Sequence, residues 1–355
     1  MRPLVRNAVL VGVVLAVGIA GFAGGWLLKP ASGSGTSSQT LWVVAAGSLE
    51  PILPSIASAY ANVTAGVTDP LSAQLYEGST AAASSLAGGS QPYDVFVAAD
   101  FRTIPQDVET PAPSVASWEV VFASDPVVLA YEPSVSALSG ISSANWWTKI
   151  VGSNVLLGVP NASADPLGAN AIFTVELQDA AASLGGSLYG HFFAGTPGAL
   201  ASPTSSTRYV TENNAATALS TGEVDAYLIY RSYAVADHLS YVNLSTEVDL
   251  GGTSPANVTT YAGASTTVLS GTGTKVESGA PVLFSLTVPS TAKSALLGTS
   301  FAAYLLSNAT AATWTHYGFE PLAQEWSDHP SKVPAVLSGS PPGLAPLPSY
   351  LASYL

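Results

Sequence analysis

Residues 41–60 read LWVVAAGSLEPILPSIASAY, and this stretch decides the fold class. Its first six residues form an unbroken apolar run with no polar alternation, the pattern of a strand buried on both faces. Gly47 and Ser48 interrupt the run, and a helical pattern extends from Leu49 to Tyr60. A buried strand that passes through a small polar turn into a helix is the repeating unit of an α/β protein.

The same unit recurs outward from that stretch. YDVFVAAD (93–100), VVLAYEP (127–133), NVLLGVP (154–160) and VDAYLIY (224–230) read as further buried strands, joined by segments 262–269 and 282–288. Helical patterns cover Gly78 to Leu86, Ala169 to Leu184, Asn214 to Thr221 and Ala292 to Leu306. Strands alternating with helices predict largely parallel sheets, and 355 residues suit two medium lobes better than one core. After about Ser327 the chain turns rich in Pro and Ser and reads as a tail over 328–355.

Composition narrows the function. Charged residues make up 9% of the chain and hydrophobic residues 48%, with a net charge of -13. Without a basic stripe to neutralise phosphates, nucleic-acid binding is not expected. The chain has no cysteine, so disulfides, thiolate metal sites, Cys nucleophiles and a lipidated Cys are excluded. Its four histidines, His191, His238, His316 and His329, show no local pairing with Ser or Asp that marks a triad. No G-x-S-x-G elbow, P-loop, H-E-x-x-H or G-x-G-x-x-G is present, and the expectation is a protein that is not an enzyme and carries no cofactor.

The N-terminus sets the compartment. Arg2 and Arg6 precede an apolar run from Ala8 to Leu28, closed by Lys29-Pro30. Some twenty apolar residues span a bilayer, and a basic flank stays cytoplasmic. Residues 1–30 therefore read as a transmembrane anchor, with a cleaved signal segment as the alternative; 31–40 (ASGSGTSSQT) read as a flexible Ser/Gly linker. In either case the body faces the outside. Sequons at Asn62, Asn161, Asn243, Asn257 and Asn308 are compatible with that placement.

Three segments share one design. AAGSLEP (45–51), YEGSTAA (76–82) and ADPLGAN (164–170) each end a strand, place a small or polar residue and open a helix, and TENNAATAL (211–219) opens a helix with polar residues. Helix starts offer unpaired N–H groups and the positive end of a dipole, so several converging on one cleft make an anion site without Lys or Arg. Singly, Ser48, Ser79 and Asn214 read as ordinary caps, Asp165 as an Asp-Pro turn or cap, Glu223 and Asp225 as a solvated turn, and Tyr230 as a strand aromatic at the core edge.

Taken in order, however, AGSLEP, EGS (77–79), YDVFVAADFRTIP (93–105), Trp118 with FASDPVVLAY (122–131), NWW (145–147), VPNASADPLG (159–168), GEVDAYLIYRSYAV (222–235) and VLFSLTVPSTA (282–292) resemble the archaeal-type tungstate/molybdate-binding proteins of ABC importers, over roughly 41–327. That resemblance implies a type II periplasmic-binding-protein fold. Lobe one would comprise 41–123 plus 285–327 and lobe two 124–284, hinged about a central ligand cleft. It implies a monomer that captures a tungstate or molybdate oxyanion and delivers it to a membrane permease. Carried over by position, Ser48 and Ser79 supply donors, Asp165 with the backbone at Pro166 and Leu167 lines the opposite lobe, Asn214 offers a helix-start N–H and Tyr230 a phenol hydroxyl. Asp165 and Glu223 are the carboxylates expected to approach the metal atom of the oxyanion. Where the family has an aromatic-basic pair, Ala169 and Asn170 stand here, and local repacking is expected. Sulfate or phosphate as ligand, or an anchored surface protein without transport, are the alternatives.

Overall fold

The computed structural model describes residues 39–68, 74–89, 91–110, 113–338 and 343–355. The apolar run at 8–28 and most of the linker lie outside them. Among the described residues no helix is long and apolar enough to cross a membrane.

The apolar runs become strands. In chain order they are Val43–Ala46 (β1), Gln74–Glu77 (β2), Val95–Ala98 (β3), Val120–Ser124 (β4), Val127–Tyr131 (β5), Leu157–Val159 (β6), Thr207–Tyr209 (β7), Ala226–Tyr230 (β8) and Tyr241–Asn243 (β9). The hairpin Ser265–Ser270 (β10) and Gly273–Ser278 (β11) follows, then Leu283–Thr287 (β12), Glu320–Ser327 (β13) and Leu344–Pro346 (β14). Strands β1, β3, β8 and β12 are buried along their whole length, which is why they show no polar alternation. The helices used below are Leu53–Val63 (α1), Ser79–Ala87 (α2), Pro166–Ala181 (α3), Ala215–Thr221 (α4), Arg231–Ala236 (α5), Pro255–Tyr261 (α6), Ala295–Leu305 (α7) and Ser349–Ala352 (α8). Helix α3 is buried on nearly every face, so it lacks the polar stripe of a surface helix.

Two mixed sheets organise these elements. The first has seven strands in the order β14-β13-β4-β12-β3-β1-β2. Strands β2, β1 and β3 run parallel, and β12 enters antiparallel to both β3 and β4. The second has five strands in the order β7-β6-β8-β5-β9, with β7, β6 and β8 parallel and β5 antiparallel to β8 and β9. The chain leaves the first sheet after β4 through Asp125-Pro126 and returns to it through Pro281-Val282. The two crossings are bonded directly, Asp125 N–H to the Val282 carbonyl at 3.2 Å.

The Pro/Ser-rich C-terminal segment, expected as a tail, is folded onto the body. Strand β14 pairs in parallel with β13 and extends the first sheet. Helix α8 then reaches the side of the second sheet. The Tyr350 hydroxyl donates to the Thr253 carbonyl at 3.2 Å and the Tyr354 hydroxyl to the Gly279 carbonyl at 3.0 Å. Leu347 and Leu351 close an apolar cluster with Phe101, Val121 and Leu283 from the first lobe and Val258 and Ala280 from the second. The segment thus bridges both lobes at the side of the cleft. Proline sets the chain direction here without removing a needed donor, because β14 is an edge strand.

Burial leaves several carboxyl groups short of water. Asp125, Glu176 and Glu325 are each pushed up to about 7 and Asp249 to about 6, in every case mainly by burial. These values lie above the unfolded value near 4, so the folded state favours the neutral form. The stabilisation from these groups is complete below about pH 4 and is lost as pH climbs through 6 to 7. The thermal midpoint is therefore predicted to be higher at pH 5 than at pH 8; a midpoint that rises toward pH 8 would contradict the assignment. Separately, Leu351 is fully buried, and Leu351→Ala is predicted to destabilise the body by about 2–4 kcal/mol in denaturant titration, whereas a tail that is merely draped on the surface would give no change.

Candidate functional site

A cleft of about 720 Å³ opens between the two sheets. On the first-lobe side, β1 runs out into the short 3₁₀ turn Gly47–Leu49, and β2 runs out through Gly78 into α2. Ser48 is 7% exposed, and its hydroxyl has no hydrogen-bond partner in the protein. Ser79 opens α2, and its Oγ accepts from the Ala99 N–H at 3.0 Å. Its hydroxyl proton is thereby left to point elsewhere.

On the second-lobe side, the loop after β6 leads into α3. Asp165 is the extended N-cap residue, with Oδ1 accepting from the Leu167 N–H at 2.9 Å, and Pro166 takes the first helical position. Gly168 allows this turn to close. A Cβ there would stand 2.5 Å from the Ala162 nitrogen and 2.6 Å from the Pro160 oxygen, so any larger residue would force α3 off the loop. Tyr230 ends β8, 6% exposed, and its hydroxyl accepts from Asn170 Nδ2 at 2.8 Å. Burial, then the Glu212 and Asp165 charges, hold this phenol protonated well above its ordinary value.

Ser48, Ser79, Asp165, Pro166 and Tyr230 all line the one cleft. Three expected residues do not. Leu167 is fully buried, and its N–H is already taken by the Asp165 carboxylate. The Asn214 N–H is bonded to the Thr211 carbonyl at 2.9 Å and its side chain to Thr211 Oγ1 at 2.8 Å, facing solvent. Glu223 is exposed and lies 3.8 Å from Arg208, outside the cleft. The cause is Gly222, whose left-handed φ of 72° ends α4 and turns the chain outward before β8 begins.

A second carboxylate of the lining, whose charge couples to that of Asp165, is Glu212, in the 3₁₀ turn just ahead of α4. Its Oε1 is buried without a hydrogen-bond partner, and Tyr233 lines the same cleft. Burial, then the Asp165 and Asp125 charges, push Glu212 well above the carboxylate range. Asn170, Asn213 and Tyr233 join it in the lining. Tyr233 also reaches across, its hydroxyl 3.8 Å from where a Cβ on Gly47 would stand.

The outer cleft is charged differently. Arg102 is gripped by Asp100 at 2.6 Å and lies 3.9 Å from Glu277, on the far hairpin; Lys275 is paired with the same Glu277 at 3.0 Å. Both basic groups of the lining are thus already paired, and seven acids face these two bases along the cleft. Apart from these charges, the lining offers hydroxyls, amides and the carboxyl groups of Asp165 and Glu212.

Residues 41–320 match the family described as bacterial extracellular solute-binding protein. A solute-binding protein of Methanoculleus marisnigri is 26% identical over 249 residues, covering 64% of this chain and 67% of that protein. Another from Methanococcus maripaludis is 24% identical over 283 residues, covering 75% and 76%. Among solved structures, the periplasmic molybdate-binding protein of Azotobacter vinelandii superposes with a TM-score of 0.52 at 12% identity, over 79% of this chain and 98% of that one. This last likeness is one of fold, and it places the two lobes described above in the periplasmic-binding architecture. The match over 41–320 means that this chain belongs to the extracellular solute-binding protein family.

Proposed function

We propose that the inner cleft captures a tetrahedral oxyanion of tungsten or molybdenum outside the cell and hands it to an ABC permease, with residues 1–30 tethering the body to the membrane. The observation that carries this reading is that Asp165 and Glu212 line one cleft within reach of each other's charge, together with the hydroxyls of Ser48, Ser79, Tyr230 and Tyr233. Burial and the Asp165 charge keep Glu212 from ionising before a ligand binds, and once ionised the two carboxylates would repel a simple dianion such as sulfate, which offers no centre for them to coordinate. Tungsten and molybdenum in the +6 state are hard centres that take additional oxygen ligands, so the same pair can bind the central atom while the hydroxyls donate to its oxo groups. Attraction to one anion and repulsion of its isostere then come from one device. Hinge closure about Asp125-Pro126 and Pro281-Val282 would seal the ligand and form the face that a permease reads. Binding of this kind needs no catalysis.

The acid excess of the outer cleft supports a second reading, in which the solute is a cation or carries one. Calorimetric titration of the full chain with tungstate, molybdate, sulfate and phosphate separates the two. One-to-one binding of tungstate or molybdate is expected, with sulfate and phosphate silent. Heat from sulfate or phosphate would change the ligand, and silence from all four with heat from a divalent metal chloride that is lost in Asp165→Ala would favour the second reading.

Variants sharpen the test. Glu212→Ala and Asp165→Ala are each predicted to weaken tungstate binding by about tenfold or more, the loss of one charged contact, and to narrow the gap to sulfate. Glu223→Ala should leave both unchanged. Loss at Glu223 with Glu212→Ala silent would reverse the assignment.

A further inference from the structure

Away from the cleft, a second group of ligating side chains meets where the C-terminal segment leaves β13. Glu109, at the end of the helical turn Ile104–Glu109, Asp328 and His329 bring one ligating atom each within 4.8 Å of one another. The geometry is held from several sides. Asp328 Oδ1 accepts from the Glu119 N–H at 2.9 Å and from the His329 N–H at 2.7 Å, which leaves its second oxygen free of backbone donors. His329 Nδ1 lies 2.9 Å from the Asp328 carbonyl oxygen. A proton on Nδ1 donated to that carbonyl leaves the Nε2 lone pair free, and Nε2 is the atom that faces Glu109 at 3.9 Å. An imidazole fixed through one nitrogen by a carbonyl, with the other presented to a carboxylate, is the arrangement of a metal-ligating histidine.

Unsatisfied buried charge points the same way. The Glu109 side chain is 10% exposed, and its Oε1 has no hydrogen-bond partner. Behind it Glu119 is fully buried, and neither of its carboxylate oxygens makes a regular hydrogen bond. The Ser285 hydroxyl is its favourable neighbour, and its charge reaches both Glu109 and Asp328. Two carboxyl groups therefore stand beside one imidazole with the charge of a third behind them, and Lys332, which is exposed, is the lysine whose charge reaches Glu109. Buried carboxylates without partners are costly unless a cation joins them.

We propose that Glu109, Asp328 and His329 form a binding site for a divalent cation of borderline hardness, best matched by Zn²⁺, with water completing its coordination. Two oxygens and one imidazole nitrogen suit such an ion better than Mg²⁺ or Ca²⁺, which prefer oxygen throughout. Ligand distances of about 2.1 Å in a tetrahedral site require the three atoms to close to about 3.4 Å of one another. Closing from within 4.8 Å asks the Glu109 and Asp328 carboxylates to turn toward the imidazole that the Asp328 carbonyl holds. An ion here would fasten the origin of the C-terminal segment to the first lobe, at a distance in sequence from every residue of the proposed oxyanion site.

The test uses the full chain, free of affinity tag, stripped with chelator and titrated with ZnCl₂, MgCl₂ and CaCl₂ at pH 7.5 in a buffer without oxyanions. One equivalent of Zn²⁺ is expected to bind and to raise the thermal midpoint, with Mg²⁺ and Ca²⁺ inert. His329→Ala, at a half-exposed position that folding does not depend on, should weaken Zn²⁺ binding by more than about tenfold, as should Glu109→Gln, while both variants keep the parent's response to tungstate. Co²⁺ in place of Zn²⁺ should give the visible absorption of a low-symmetry oxygen/nitrogen site, lost in His329→Ala. Absence of Zn²⁺ binding overturns the proposal. So does binding that survives His329→Ala but is lost in Asp165→Ala, which would put the ion in the cleft, and so does equal binding of Ca²⁺.

Discussion

Asp125 holds the two halves of this protein in register. It sits in the first crossing between the lobes, fully buried, and its backbone N–H is bonded to the carbonyl of Val282 in the second crossing. Its carboxylate accepts the backbone N–H of Ser232 at 3.1 Å and the Ser232 hydroxyl at 2.5 Å. Ser232 lies in the first turn of α5, between Tyr230 and Tyr233. One residue thus joins both crossings to the junction of β8 and α5, which carries two of the cleft's phenols. Burial pushes Asp125 up to about 7, with the Ser232 bonds and Arg231 opposing it, so near neutral pH the group can serve either as a hydrogen-bonded acid or as a capped carboxylate. Neighbouring Arg231 reinforces the join, bonded through Nε to the Gly318 carbonyl at 2.6 Å and paired with Glu320 at 2.9 Å.

From that anchorage the cleft follows. Strands β1 and β2 on one side and β6 and β8 on the other all deliver their C-terminal ends to the space between the sheets, which is where ligands bind in open α/β sheets. The short turns that follow carry side chains too small or too well bonded to fill the gap. Charge in the lining falls into two groups: acids that hold both bases, Arg102 and Lys275, and the carboxyl groups of Asp165 and Glu212 among hydroxyls and amides. The helix starts contribute less than their number suggests, because Asp165 caps its own helix.

Much of this is legible in the sequence. The buried strands announce themselves through unbroken apolar runs, and the element that orders them, strand then small residue then helix, is visible at 41–60, 76–82 and 164–170. Ser48, Ser79, Asp165, Pro166 and Tyr230 sit at those junctions, and the structure gathers them into one lining. The misplacements have a common physical origin in how α4 begins and ends. Asn214 does stand at its start, as the N-cap, but the 3₁₀ turn ahead of it ties up its N–H, and Glu212 lines the cleft in its place. Glu223 reads as a pocket acid because it stands close to a buried strand, but the left-handed Gly222 directs it to solvent. An acidic residue directly ahead of a helix start is the available signal for Glu212. Asn170, expected as local repacking, instead donates to Tyr230. For the C-terminal segment, composition suggests a tail, since its few anchoring residues, Leu347, Tyr350, Leu351 and Tyr354, are spread among Pro and Ser and their partners lie far away in sequence.

Two protein carboxylates that complete the coordination of a captured oxyanion would leave a direct spectroscopic signature. X-ray absorption at the tungsten edge, on the full chain loaded with one equivalent of tungstate, reads it without reference to affinity. The expected spectrum is that of a centre with four short oxo bonds and two longer oxygen ligands, the latter reduced in number in Glu212→Ala. A bound tungsten that keeps the four-coordinate spectrum of free tungstate would rule out coordination by Asp165 and Glu212.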